Sequence, residues 1–163
     1  MAVQIRVAGI VKESIVDGPG IRYVIFAQGC RHNCPGCHNP QTHSFEGGYM
    51  IDADTIVQQI KSNPLLDGVT FSGGEPFDQA PAFAALAGEL VSLGLNMIIY
   101  TGYTYEYIRE NSSVKPGWRE LLETADTLVD GPFMQELKDP LLRFRGSSNQ
   151  CIIDLKGQNG KPL

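Results

Sequence analysis

With 163 residues, 42% of them apolar and 19% charged, the chain has the size and composition of one globular domain. Folding at this length buries about 68% of the surface that the unfolded chain exposes, so neither disulfides nor a metal is needed to hold the fold, and a metal would serve chemistry. The net charge of -5, from 13 Lys plus Arg against 18 Asp plus Glu, comes without any run of basic residues. This argues against duplex binding, which needs a clustered basic surface, and no nucleic-acid partner is expected.

The opening MAVQIRVAGIVKES lacks the apolar stretch and small-residue cleavage site of a secretory leader. No later stretch is apolar enough to span a bilayer, so a cytoplasmic chain with no membrane partner is expected. Residues 21–29 (IRYVIFAQG) are rich in β-formers and predict a buried strand running into a Gly/Pro/Asn-rich loop. Asp52 or Asp54 then caps a helix with Ile56, Val57 and Ile60 on one face, stopped by Asn63-Pro64. Residues 68–71 form a second strand leading into Ser72-Gly73-Gly74-Glu75-Pro76. Asp78 caps a helix whose Phe83, Leu86, Leu90 and Leu93 recur at helical spacing until Gly94 ends it.

A strand over 96–100, helices around 105–109 and 118–124, and strands near 127–130 and 150–154 complete the chain. Alternation of this kind implies parallel strands joined by right-handed crossovers, an α/β fold with its chemistry at the strands' carboxyl ends. A closed barrel takes about 250 residues, so the expectation is an open, partial (β/α) barrel of about five or six units. It forms a single domain over residues 1–163, with no repeat or linker.

Of the four cysteines, Cys30, Cys34 and Cys37 crowd into eight residues while Cys151 stands far away beside Ile152 and Ile153. In a reducing compartment they are not a disulfide framework. Cys151 reads as a small buried hydrophobe. The three clustered thiols can converge on one inorganic centre, and Gly36 supplies conformational freedom where the backbone must wrap. Thiolates suit zinc, copper(I) or iron-sulfur centres. Ferredoxin runs supply four cysteines to a cubane, whereas this loop supplies three and leaves one iron able to bind an outside molecule.

Two other readings stay open on spacing alone. One is a zinc-binding interaction module, with Cys30, Cys34, Cys37 and either His32 or His38 completing a tetrahedron. The other is an electron carrier with Cys151 as the fourth ligand. The Gly73-Gly74 pair belongs neither to a phosphate loop nor to a dinucleotide fingerprint. Two residues without Cβ at a strand end either let a ligand approach the backbone or form a tight strand-to-helix turn.

The loop Cys30-Arg31-His32-Asn33-Cys34-Pro35-Gly36-Cys37 resembles the signature of the radical S-adenosylmethionine superfamily. The resemblance implies a 4Fe–4S cluster ligated by Cys30, Cys34 and Cys37, whose open iron chelates S-adenosylmethionine and reductively splits its sulfonium. A 5′-deoxyadenosyl radical and hydrogen-atom abstraction follow. It also implies that Gly36, Cys37 and His38, with Gly73, Gly74 and Glu75, frame the cofactor, the last three at its methionine ammonium.

Residues 15–22 (IVDGPGIR), Gln28-Gly29-Cys30 and Cys37-His38-Asn39-Pro40 are similar to the opening of glycyl-radical-enzyme activases, which implies a protein backbone as substrate. Activases of pyruvate formate-lyase share the histidine after the third cysteine but are considerably longer. Those acting on anaerobic ribonucleoside-triphosphate reductase are short and usually carry a tyrosine at the place of His38, where adenine stacking is expected. The stretches 100–103 (YTGY), 128–133 (LVDGPF), 137–140 (LKDP) and 144–150 (FRGSSNQ) resemble the second kind. The implied partner is therefore that reductase, with reduced flavodoxin or ferredoxin as electron donor. Asp130 stands at a strand end, and Arg145, Ser147, Ser148 and Asn149 offer donors to a carboxylate or ribose. Tyr103, Tyr105 and Tyr107 form either a docking surface or a half-buried turn.

Overall fold

The computed structural model describes residues 3–32 and 42–156. Its strands are β1 (Gln4–Ser14), β2 (Arg22–Ala27), β3 (Tyr49–Asp52), β4 (Gly68–Gly73), β5 (Asn96–Tyr100), β6 (Thr127–Asp130) and β7 (Cys151–Asp154). Its helices are α1 (Ala53–Lys61), α2 (Ala80–Ser92), α3 (Tyr105–Asn111) and α4 (Trp118–Thr124), with 3-10 turns at Pro76–Gln79 and Gln135–Leu137. All the strands join one seven-stranded sheet in the order β3-β1-β2-β4-β5-β6-β7.

The α/β expectation holds, but the sheet is mixed. Strands β2, β4, β5 and β6 run parallel, whereas β1 is antiparallel to both β2 and β3, and β7 to β6. The connections give the reason. A parallel neighbour needs a long crossover, which α1, α2 and the α3–α4 pair supply. Between β1 and β2 lie only residues 15–21, in which Gly18 and Gly20 take φ of 136° and 77° and reverse the chain. The β6–β7 connection carries a 3-10 turn and no α-helix.

Strand residues alternate between the two faces of the sheet. Tyr23, Ile25, Val69, Phe71, Met97, Ile99 and Leu128 pack with Ile56, Val57 and Ile60 of α1, Phe83, Leu86 and Leu90 of α2, Ile108 of α3 and Leu121 of α4 in one core. Phe71 and Phe83 meet edge to face with centroids 4.7 Å apart. The helices thus cover one face, while Ser72 and Tyr100 help line a cavity on the other.

Three local expectations are corrected. Asp78 is not the cap of α2. It lies inside the 3-10 turn, Gln79 holds the cap position of α2, and Glu75 caps the 3-10 turn by accepting from Phe77 N. Asp52 does precede α1, but its carboxylate accepts from Gln4 Nε2 at 3.0 Å and caps nothing. Leu93 falls beyond α2 and is exposed, so the buried stripe ends at Leu90.

At the amino ends of the parallel strands Arg22 is 1% exposed. Its guanidinium donates to Thr70 Oγ1 at 2.8 Å and to the carbonyls of Pro19, Val69 and Asn96 at 3.1, 3.0 and 2.9 Å. Burial brings its pKa down to about 10, against the raising influence of Tyr100, Asp126 and Asp67.

Candidate active site

All four parallel strands contribute their carboxyl ends to a cavity of about 400 Å³, within the roughly 300–1,000 Å³ typical of ligand sites. Cys30 follows β2, Gly73 and Gly74 close β4, Thr101 and Gly102 follow β5, and Gly131 follows β6; all line it. Cys30 is fixed by the chain returning beside it, since Gly29 N donates to Thr42 O at 2.6 Å and Cys30 N to His43 O at 3.1 Å. Of the residues expected at the site, the structure brings Cys30, Gly73 and Gly74 together. Cys34, Gly36, Cys37 and His38 lie outside the described residues.

The glycine pair has a structural reason beyond any ligand. Gly74 N donates to Ala27 O and Glu75 N to Gly29 O at 2.7 and 2.8 Å, pressing this turn against the segment that carries Cys30. A Cβ on Gly74 would collide with the Gly29 carbonyl. One on Gly73, which has a φ of 85°, would strike the Phe26–Ala27 backbone. The close approach that demands glycine is thus made first by the protein's own chain.

Glu75 is 0% exposed. Its Oε2 accepts from Phe77 N at 3.1 Å and Thr101 Oγ1 at 2.8 Å. Its Oε1 accepts from Gly102 N and from His32 Nε2, both at 2.7 Å. A carboxylate offers about four lone-pair directions, so these donors saturate it. A direct contact from Glu75 to an ammonium group would displace one of them. Burial draws the His32 imidazolium down, but the Glu75 hydrogen bond and the charges of Glu75 and Asp78 outweigh it and hold His32 above the ordinary histidine value. His32, Thr101 and Gly102 are the partners that sequence reasoning missed in this role, because residues remote in sequence meet only once β2, β4 and β5 are aligned.

Tyr103 packs edge-on against His32 with centroids 4.4 Å apart and stacks on Tyr107 at 5.4 Å. Its hydroxyl donates to Asp78 Oδ1 at 2.7 Å. Burial, reinforced by that bond and by the charges of Asp78 and Glu75, pushes the phenol up. Tyr103 and Tyr105 are half-buried against the core, whereas Tyr107 is exposed.

Asp130 ties elements together: it accepts from Tyr105 N at 2.7 Å and Cys151 N at 3.3 Å. Burial pushes its carboxyl up, against those backbone donors. Cys151 is exposed rather than buried, since it opens the short edge strand β7, and it does not line the cavity. Among the described residues no three His, Cys, Asp or Glu side chains gather into a metal site.

The fit to a polar cofactor rests on Arg145. Arg145 lines the cavity with Nη1 donating to Gln150 O at 3.1 Å, while its buried Nε has no partner among the described residues. Asn149 does not line the cavity; its buried Oδ1 is also without a partner among the described residues, and its Nδ2 donates to Pro132 O at 2.8 Å. Buried polar groups normally find partners, so the Arg145 part of the wall suits a ligand with an acceptor. The Cys30 thiol, which lines the same cavity, suits an iron-sulfur centre. The described residues therefore fit one ligand of a cluster beside a polar co-substrate.

The family model of a 4Fe-4S single cluster domain matches residues 16–153, a span that includes Cys30 and the strand ends that line this cavity. Anaerobic ribonucleoside-triphosphate reductase-activating proteins are similar over nearly the whole length. That of Salmonella typhimurium is 33% identical over 150 residues, covering 87% of this chain and 94% of the relative. The Escherichia coli K12 protein is 32% identical with the same coverage. The bacteriophage T4 protein is 31% identical over 145 residues, covering 84% of this chain and 86% of its own. The chain belongs to this family of iron-sulfur activating proteins.

Proposed function

We propose that this chain activates anaerobic ribonucleoside-triphosphate reductase by removing a hydrogen atom from a glycine Cα of that partner. Cys30, Cys34 and Cys37 hold a 4Fe–4S cluster, and S-adenosylmethionine is the co-substrate. In this reading the whole chain is one domain, and its open sheet is the partial barrel of the radical S-adenosylmethionine type. The observation that carries the proposal is the meeting of Cys30 with Gly73 and Gly74 on the wall of one cavity at the carboxyl ends of four parallel strands.

When bound, the cluster supplies the electron that reductively splits S-adenosylmethionine, whose adenosyl fragment takes the hydrogen atom. The chain's own residues bind, orient and shield. Gly73 and Gly74, with Gly36, Cys37 and His38, frame the co-substrate. Arg145, which lines the cavity, would offer its Nε, free among the described residues, to the carboxylate or ribose of the co-substrate. Phe133, Leu142 and Phe144 give the cavity apolar wall that limits water around a reactive species. Hydrogen-atom transfer needs no general base, and the His32–Glu75 pair has no acid-base role in this reading.

The electron comes from reduced flavodoxin or ferredoxin. The proposed location is the cytoplasm; no helix among the described residues is long and apolar enough to cross a membrane. The test is metal analysis and turnover of protein purified without oxygen. Iron and sulfide, with conversion of S-adenosylmethionine to 5′-deoxyadenosine on reduction, are expected. Zinc without iron or sulfide would reject the enzyme in favour of an interaction module.

A further inference from the structure

We infer that His32 is a positioning residue for the cysteine loop, acting through its hydrogen bond to the buried carboxylate of Glu75. The inference rests on the activase reading, in which Cys30 and Cys34 bracket His32 as cluster ligands. The observations belong to the described residues alone. Cys30 is fixed from the side of the returning chain by His43 O. On leaving Cys30 the backbone passes Arg31, whose side chain is 70% exposed and reaches Asp78 only at 3.9 Å. It then reaches His32, whose side chain is 16% exposed and whose Nε2–H meets Glu75 Oε1 at 2.7 Å.

Three features make that seat specific. Oε1 also takes Gly102 N at 2.7 Å, so Glu75 joins the end of β5 to the start of the cysteine loop. The imidazole stands edge-on to Tyr103, at an interplanar angle of 72°, which restricts its rotation. Gly102 leaves the ring its room, for a Cβ there would lie 2.5 Å from His32 Cδ2 and 2.7 Å from Nε2. Gly102 is thus a glycine because of the imidazole and not because of its own backbone angle. Groups that orient a metal ligand from behind contribute to metal affinity as surely as the ligands do. Here the carboxylate expected to face the co-substrate instead grips the loop.

The test compares the full chain with His32→Ala, His32→Asn, His32→Gln and Gly102→Ala, each reconstituted anaerobically, with circular dichroism confirming the fold. Cluster retention against an iron chelator is measured first. The change in the electron paramagnetic resonance spectrum of the reduced cluster on adding S-adenosylmethionine is measured second. His32→Ala, His32→Asn and Gly102→Ala are expected to weaken cluster retention by roughly 10-fold or more and to blunt the spectral change.

His32→Gln, whose amide nitrogen falls near the place of the imidazole Nε2, is expected to restore both. Wild-type behaviour of His32→Ala, or His32→Gln no better than His32→Ala, would overturn the inference while leaving the activase reading intact. Wild-type protein that takes up no iron-sulfur cluster would overturn both.

Discussion

Glu75→Gln separates two roles for this carboxylate, that of a brace within the fold and that of a contact for the co-substrate. The substitution keeps shape and volume but turns one acceptor oxygen into an NH2 group facing two donors. With the amide nitrogen on the Oε2 side, the Thr101 hydroxyl can rotate and accept, but Phe77 N, 3.1 Å from Oε2, loses its acceptor. A buried donor left unpaired costs about 1–3 kcal/mol. The bonds kept from His32 and Gly102 pass from charged to neutral strength, about 0.5–1 kcal/mol less each.

The sum is about 2–5 kcal/mol, equivalent to roughly 4–20 °C in Tm for a chain of this size. The assay is thermal and urea unfolding of the protein without cluster or S-adenosylmethionine, so that no ligand contributes. A loss below about 0.5 kcal/mol, within the range of ordinary surface substitutions, would refute the brace. So would a defect that appears only as weaker S-adenosylmethionine binding.

Three further outcomes follow from the geometry. Gly74→Ala places a methyl against the Gly29 carbonyl, and is expected to cost about 1–3 kcal/mol in urea unfolding and to lower iron uptake by unseating Cys30. Asp130 has its carboxyl raised chiefly by burial, so the folded state holds the proton more tightly than the unfolded one. The stability this contributes is fully present below the ordinary aspartate value and is lost as pH rises through the higher folded value. The advantage of wild type over Asp130→Asn in urea should therefore shrink as pH rises through that window, and an advantage that grows would contradict the assignment. Cys151→Ser, at an exposed position away from the cavity, is expected to stay within about 0.5 kcal/mol of wild type with unchanged iron content. Loss of iron would make Cys151 a ligand after all.

Local chemistry was legible where sequence period and tertiary role agree. The strands over 96–100 and 127–130 stand as read because each is a short, mainly apolar run, and the helix over 118–124 because Trp118, Leu121 and Leu122 recur at helical spacing after Pro116-Gly117. β1 escaped notice since register shifts at Val7/Gly9 and Val11/Ser14 break its alternation and its second half is largely exposed. β3 is a four-residue edge strand with Tyr49 and Met50 exposed, so it has neither length nor burial to declare it.

At the site, residue types and strand-end placement were readable, and Cys30, Gly73 and Gly74 do share a cavity. The direction of the Glu75 side chain was not, because its donors lie up to 43 residues away and meet only through the order of the strands. Asp78 failed as a cap for the same kind of reason: Tyr103, 25 residues on, competes for its carboxylate.

The most direct measurement mixes the reduced protein, S-adenosylmethionine and anaerobic ribonucleoside-triphosphate reductase without oxygen and records the electron paramagnetic resonance spectrum. The account expects a glycyl doublet on the reductase that requires all three components and disappears with Cys34→Ala. A spectrum without the doublet, from a preparation whose cluster is intact and reduced, would contradict it.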